Sequence, residues 1–193
     1  MSPVRDHKKT RVSNGMKRLV ILGVTGSIAA YKACDIISGL RKISVDVQVV
    51  LTKEAAEFVT PLTLQTLSRN KVRSDMFELP EEWNPVHTSL AEKAGLVLIA
   101  PATANVIGKL AAGICDDLLT CLVFATKAPV LIAPAMHSQM YKHEVVRENI
   151  EKLKKLGYKF IGPVKGMLAC GCEGLGHIAD TKDIVKEAKR LLK

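Results

Sequence analysis

Three short stretches hold the side chains best suited to chemistry. Pro134-Ala-Met-His-Ser-Gln-Met-Tyr141 follows the apolar run Val130-Leu-Ile-Ala133. Read as a buried strand, that run delivers the peptide after it to a strand's C-terminal edge, where open α/β sheets bind their ligands. Pro85-Val-His87 supplies an imidazole, which titrates near neutral pH and can pass a proton either way. A lone histidine closing a loop is also, more simply, an exposed side chain. Leu168-Ala-Cys-Gly171 lies in a glycine-rich stretch with Cys172 and His177. Their C-x-C-x4-H spacing is unlike a structural zinc site and lacks a fourth ligand, so no metal is expected.

A second set of residues could hold a phosphate or a planar ring. Residues 17–24 (KRLVILGV) are an apolar, β-branched run that leads into Thr25-Gly-Ser27. Strand, glycine turn, capping serine and helix together present free N–H groups and a helix dipole to an anion. The turn has neither G-x-G-x-x-G nor the Gly-Lys-Ser/Thr of a P-loop, and a plain strand–helix turn capped by Ser27 accounts for it equally well. Thr52 ends the next apolar run, ahead of Lys53 and Glu54; it can cap the following helix or face the same crevice. Thr103 and Asn105, set among alanines after residues 95–101, leave room for a ring or phosphate to approach closely.

The elements that must position these groups alternate. Apolar runs at 17–24, 45–51, 95–101 and 130–133 read as strands, with a last short one at 158–161. Helical patterns occupy 28–41, the stretch after Glu54, 60–68 with Pro61 at its first position, 106–112, Asp116 or Asp117 to 126, 143–156 and 181–192. This alternation predicts an α/β protein: a single-domain Rossmann-like (flavodoxin-like) three-layer fold with a mainly parallel sheet. The strand ends at Gly26 and Ser27, at Thr103 and Asn105, and at Ala135 and His137 then gather at one edge, which favours a nucleotide-like cofactor. Residues 72–77 suit a short edge strand, and 78–84 an irregular acidic loop that His87 closes. Residues 162–177 lack periodicity and read as a mobile flap, since so long an irregular segment in a compact domain is uncommon unless functional. Residues 1–16 read as a basic disordered arm ahead of a domain over 17–193.

The chain of 193 residues is 48% hydrophobic but only 4% aromatic, so one core of Val, Ile, Leu and Ala is expected. No apolar run reaches the length of about 18 residues that a membrane span needs, and no secretory h-region opens the chain. Five cysteines at irregular spacing fit reduced thiols in a cytoplasmic protein. The net charge of +9 is concentrated at the start, where residues 1–18 carry six Lys/Arg against Asp6. That run reads as solvated, and no nucleic-acid partner is expected.

Taken in order, GVTGSIAAYK, LTKEAAEFVTPLTLQTLS, His87, APATANVIGKLAAGICDDLLT, PAMHSQMY and LACGCEGLG resemble the homo-oligomeric flavin-containing cysteine decarboxylases over residues 17–180. The resemblance implies FMN as cofactor, held between neighbouring protomers of a homotrimer or dodecamer. It implies that Gly26, Ser27, Ile28 and Ala29, then Thr52, Lys53 and Glu54, then Thr103, Ala104, Asn105, Val106 and Ala135 form the cofactor site. His87 and Cys170 would be catalytic, with His137, Met136 and Ala169 at the substrate. The implied reaction takes a small molecule, 4′-phosphopantothenoyl-L-cysteine, to 4′-phosphopantetheine in coenzyme A biosynthesis. Oxidising the thiol to a thioaldehyde lets the carbanion left by CO2 become a conjugated enethiolate. His87 would serve the oxidation, and Cys170 would protonate the enethiolate. Where the family has an asparagine that binds the substrate carboxylate, this chain has His137. Imidazole can donate from either ring nitrogen, or grip the carboxylate too firmly through added charge. Two alternatives are a peptidyl-cysteine decarboxylase, which would lack the acid on the flap, and a non-catalytic FMN-binding regulatory protein, which would lack the histidine. Cys170 and His87 weigh against them. A synthetase that makes the substrate would be either a separate protein or a further part of a longer chain.

Overall fold

The computed structural model describes residues 18–78 and 84–192; the arm expected at 1–16 lies outside the described residues. Five strands form the central sheet: β1 (Leu19–Val24), β2 (Asp46–Leu51), β3 (Leu96–Ala102), β4 (Val130–Pro134) and β5 (Lys159–Phe160). Their order is β2-β1-β3-β4-β5, and every neighbouring pair is parallel. This is the flavodoxin-like doubly wound order, in which the chain reverses direction across the sheet between β1 and β3 and opens a crevice at their C-terminal ends.

The strands are apolar throughout because both faces of the sheet are covered. Along β1, Val20, Leu22 and Val24 join one core while Ile21 joins the other. Leu96, Leu98 and Ala100 of β3 divide from Val97, Ile99 and Ala102 in the same way. The helices are α1 (Lys32–Lys42), α2 (Pro61–Ser68), α3 (Val86–Lys93), α4 (Ala104–Ala112), α5 (Leu118–Ala125), α6 (Ser138–Lys142), α7 (Glu144–Lys155) and α8 (Thr181–Leu191). Core residues of α1, α2 and α8 pack on the first face, and those of α3, α4, α5 and α7 on the second. Among the described residues no helix is long and apolar enough to cross a membrane.

Four local features depart from the sequence reading. Residues 72–77 form no strand; a single bridge between Val50 and Arg73 is all that pairs there. His87 sits in the first turn of α3 rather than closing a loop, because Pro85 starts a helix too short and polar to show a clear period. α4 begins at Ala104, directly after its Thr103 cap. Residues 162–177 are not an irregular flap: β6 (Val164–Met167) pairs antiparallel with β7 (Glu173–His177) as a hairpin. Gly166, Gly174 and Gly176 remove the side chains whose alternation would have announced those strands.

Candidate active site

The crevice is built by the turns that follow β1, β2, β3 and β4. Thr25, only 3% exposed, ties two of them together. Its hydroxyl donates to the Pro101 carbonyl at 2.8 Å and accepts from the Thr103 N–H at 3.1 Å. The Thr52 N–H donates to the Val24 carbonyl at 3.0 Å, and the Ala135 N–H to Ala102 at 3.0 Å. Gly26 lets two of the turns approach closely. A Cβ there would lie 2.5 Å from the Glu54 Cβ, so any side chain would push the turns after β1 and β2 apart.

Three hydroxyls cap the turns. Ser27 Oγ accepts from the Ala29 N–H at 3.3 Å, Thr52 Oγ1 from Ala55 at 3.3 Å and Thr103 Oγ1 from Val106 at 3.4 Å. Each is left with its own O–H as a donor. Capping and facing the crevice are therefore compatible roles for one side chain. Gly26, Ser27, Thr52, Glu54, Thr103 and Asn105 line a cavity of about 280 Å³, with Ala104, Val106 and Ala135 completing its wall. Lys109 and Asp117 close it off. Lys109 Nζ lies 2.7 Å from Asp116 and 2.9 Å from Asp117. The hydrogen bond that Lys109 donates to Asp116, joined by the one it donates to Asp117, raises the Lys109 pKa against the opposing effect of burial. Burial pushes the Asp117 carboxyl up, but hydrogen bonds from the Thr120 N–H, Lys109 and the Thr120 hydroxyl outweigh it and hold that carboxyl below its usual range.

A second cavity, of about 340 Å³, adjoins the first and shares Ser27, Ala135 and Met136 with it. Here the structure brings His137, Ala169 and Cys170 together beside Ile28 and Ala29. His137 caps α6: its Nδ1 accepts from the Gln139 N–H at 3.2 Å. A ring nitrogen that accepts carries no proton, so the neutral ring bears its proton on Nε2. Cys170 stands at the apex of the hairpin loop. Leu168 donates to the Cys172 carbonyl and Gly171 to Leu168, both at 2.9 Å, with Gly171 at φ +80°. That is a tight three-residue turn ending in a left-handed glycine, and it leaves the Cys170 side chain exposed.

The hairpin is fastened to the loop that carries His137. The Met136 N–H donates to the Gly176 carbonyl at 3.1 Å. A Cβ at Gly176 would overlap the Met136 carbonyl oxygen, and one at Gly174 would lie 3.0 Å from the Ser138 Cβ.

Two residues from the sequence reading fall elsewhere. Lys53 is exposed and lines neither cavity. His87 also lines neither; it is half-buried, and its Nδ1 is enclosed without a hydrogen-bond partner. Conversely, Thr25, Lys32, Lys109 and His177 belong to the site although the sequence did not single them out for it. The run after β1 offered one cue, since GSIAAYK places Lys32 five residues beyond Ser27.

A doubly wound sheet with a switch-point crevice of hydroxyl donors and small side chains, next to a cavity holding a thiol, defines a protein that keeps a nucleotide-like cofactor against a small substrate. The chain belongs to the flavoprotein family, whose model matches residues 7–193; a flavin is thus its cofactor. It is 49% identical over 176 residues to the coenzyme A biosynthesis bifunctional protein CoaBC of Bacillus subtilis (strain 168), covering 90% of this chain and 43% of that protein. It therefore spans less than half the length of this bifunctional relative. Over 179 residues it is 41% identical to the probable phosphopantothenoylcysteine decarboxylase of Streptococcus mutans serotype c, covering 92% of this chain and 100% of that one. Among solved structures, a cysteine-to-serine variant of PPC decarboxylase complexed with pantothenoylaminoethenethiol aligns with TM-score 0.79 at 29% identity, covering 89% of this chain and 96% of that chain.

Proposed function

We propose that this chain is an FMN-dependent decarboxylase that converts 4′-phosphopantothenoyl-L-cysteine to 4′-phosphopantetheine. One observation carries the reading: a single cavity holds Cys170 and His137 against the turn at Ser27 and Ala29. The name of the full-length streptococcal relative supports it, as does the ethenethiol in the aligned structure.

The switch-point crevice fits FMN. Ser27, Thr52 and Thr103 have O–H donors to spare, and Asn105 and Lys109 add an amide and an ammonium. Phosphate and flavin carbonyl oxygens accept from such groups. Gly26, Ala104 and Ala135 keep the walls low enough for a ring. In flavodoxin-like folds FMN binds at this β1/β3 crevice. The chemistry that bound FMN supplies is two-electron oxidation of the substrate thiol to a thioaldehyde, and the later return of those electrons.

The remaining work falls to side chains. His137 presents Nε2–H to the substrate carboxylate while Nδ1 stays engaged with Gln139. An asparagine at this place would do the same two things, capping with its oxygen and donating with its amide. The histidine thus keeps the contact, and protonating Nδ1 would break the cap. A neutral donor orients a carboxylate without a charge that would hold it back from leaving as CO2. When CO2 departs, its electron pair enters the enethiolate, and Cys170 gives its proton to the carbon. The hairpin covers the site and keeps water out. His87 serves the thiol oxidation. Because it lines neither cavity of its own protomer, its place is explained by a site shared between neighbouring protomers, as in a homotrimer. A synthetase, on this chain or another, would supply the substrate.

Anaerobic mixing of the FMN-loaded protein with phosphopantothenoylcysteine tests the reading. Flavin absorbance is followed together with product mass. The expected product is lighter by CO2 and has a saturated thiol; an unchanged substrate overturns the proposal.

A further inference from the structure

The cavity that holds Cys170 carries two side chains that the chemistry above leaves unused, Lys32 and His177. We infer that these two form the subsite for the substrate's phosphomonoester, so that the cavity gauges its ligand from thiol to phosphate. The inference rests on the decarboxylase reading.

The wall is built for an anion. No carboxylate lines this cavity, and Lys32 is its one ammonium among the described residues. Lys32 is half-buried, with Nζ 5.0 Å above the Tyr31 ring. The phosphate is the anion left to be matched once His137 takes the carboxylate.

His177 is held in place from two sides. Its Nδ1 lies 2.8 Å from the Ile178 carbonyl oxygen. A carbonyl can only accept, so Nδ1 bears a proton and Nε2 is the nitrogen left for a ligand. Across the hairpin its ring packs on Gly166, where a Cβ would come within 3.3 Å of the His177 Cβ and Cγ. Either state of Nε2 serves a phosphate. Unprotonated, it accepts from the P–OH of a monoanion; protonated, it donates to a dianion.

His177 and Cys170 line one cavity from the base and the tip of the hairpin. Ile178, 2% exposed, shares a core cluster with Ala30 and Ala33. Ile28, Ala29 and Lys32 line one cavity with His177 and Ile178, so the base of the hairpin faces the start of α1 across it. Cys170 is at the opposite end, at the tip. From Glu173 to His177 the strand rise gives about 14 Å. A pantetheine arm, with about a dozen bonds from sulfur to phosphorus, reaches roughly 15 Å by ordinary bond lengths. Met167, Leu168 and Ile28 offer apolar wall along the way.

The test uses the FMN-loaded protein and two probes, 4′-phosphopantetheine and pantetheine, titrated by calorimetry. Lys32→Ala should weaken phosphopantetheine binding about 10–100-fold, the range of a charge-assisted hydrogen bond, and pantetheine binding less than about threefold. His177→Ala should act in the same sense by about 3–10-fold. Lys152→Ala removes an equal charge from an exposed position on α7 and should alter neither. Equal weakening of both probes, or of neither, overturns the subsite. Binding is read without turnover, so the two proposals fail separately. A wild type that prefers the phosphorylated probe but releases no CO2 sinks the decarboxylase reading and sustains the subsite. One that releases CO2 without that preference does the reverse.

Discussion

Replacing Thr25 with valine should loosen the switch point itself. Valine matches threonine in shape, so the change removes a hydroxyl and opens no cavity. The lost oxygen leaves the Pro101 carbonyl and the Thr103 N–H without the bonds of 2.8 and 3.1 Å that now hold β1 to β3. An orphaned buried group costs about 1–3 kcal/mol. Pro101 is buried and stands toward the upper part of that range, whereas Thr103 is half-buried and can reach water in the crevice. The sum is about 2–4 kcal/mol, a large share of the roughly 5–15 kcal/mol that stabilises a typical protein. At about 2–4 °C per kcal/mol for a domain of this size, Tm should fall by roughly 5–15 °C. Thr25→Ser is the control, since it keeps both bonds and should cost less than about 1.5 kcal/mol for the lost methyl. Urea and thermal unfolding of the three proteins, followed by circular dichroism, measure these changes. Dissociation of the flavin from the valine variant should also quicken, because Thr103 caps α4 at the crevice. A valine variant within about 0.5 kcal/mol of wild type, or a serine variant equally destabilised, would refute the reasoning.

Four further outcomes are expected. Cys170→Ser should stay yellow and release CO2 but stop at the unsaturated thiol; full yield of the saturated product would remove Cys170 as the acid. His137→Asn should hold kcat/KM within about threefold of wild type while His137→Leu loses about 10–150-fold, the loss of a hydrogen bond to a charged group; equal activities would sink the donor role. Gly176→Ala should unfold in urea like wild type to within about 1–2 kcal/mol yet lose activity as the hairpin lifts from Met136, so unimpaired turnover contradicts the steric argument. The Asp117 carboxyl, held below its usual range, adds stability that is present above the unfolded value of about 4 and is lost as pH falls through the lower folded value. Urea midpoints from pH 7 to pH 3 should therefore drop more steeply for wild type than for Asp117→Asn; parallel curves would show that the pairing with Lys109 and Thr120 does not reach stability.

The sheet was legible because both of its faces are covered. β1, β3 and β4 are short apolar runs with β-branched residues, and little else in the chain looks like them. α7 and α8 announced themselves through apolar stripes and clear ends. The hairpin did not, since glycines at 166, 174 and 176 replace the side chains that a period-two pattern needs. Thr25 passed for an ordinary turn residue because its partner carbonyl is 76 positions away. The candidate site divides in the same manner. Ser27, Thr52 and Thr103 could be named from local capping chemistry. The proton position on His137 required the Gln139 N–H, and the place of His177 in the cavity required the fold of the hairpin.

The bond between Met136 and Gly176, with Gly174 resting on Ser138, makes two sequence-distant segments a matched pair. A chimera that takes another hairpin but keeps this chain's Pro134–Tyr141 loop would keep the fit only if it brought glycine to positions 174 and 176. The smallest transplantable piece is thus the loop together with its hairpin. Within that piece, Met167 is largely exposed and is the position to vary, and libraries aimed at an altered substrate arm belong there.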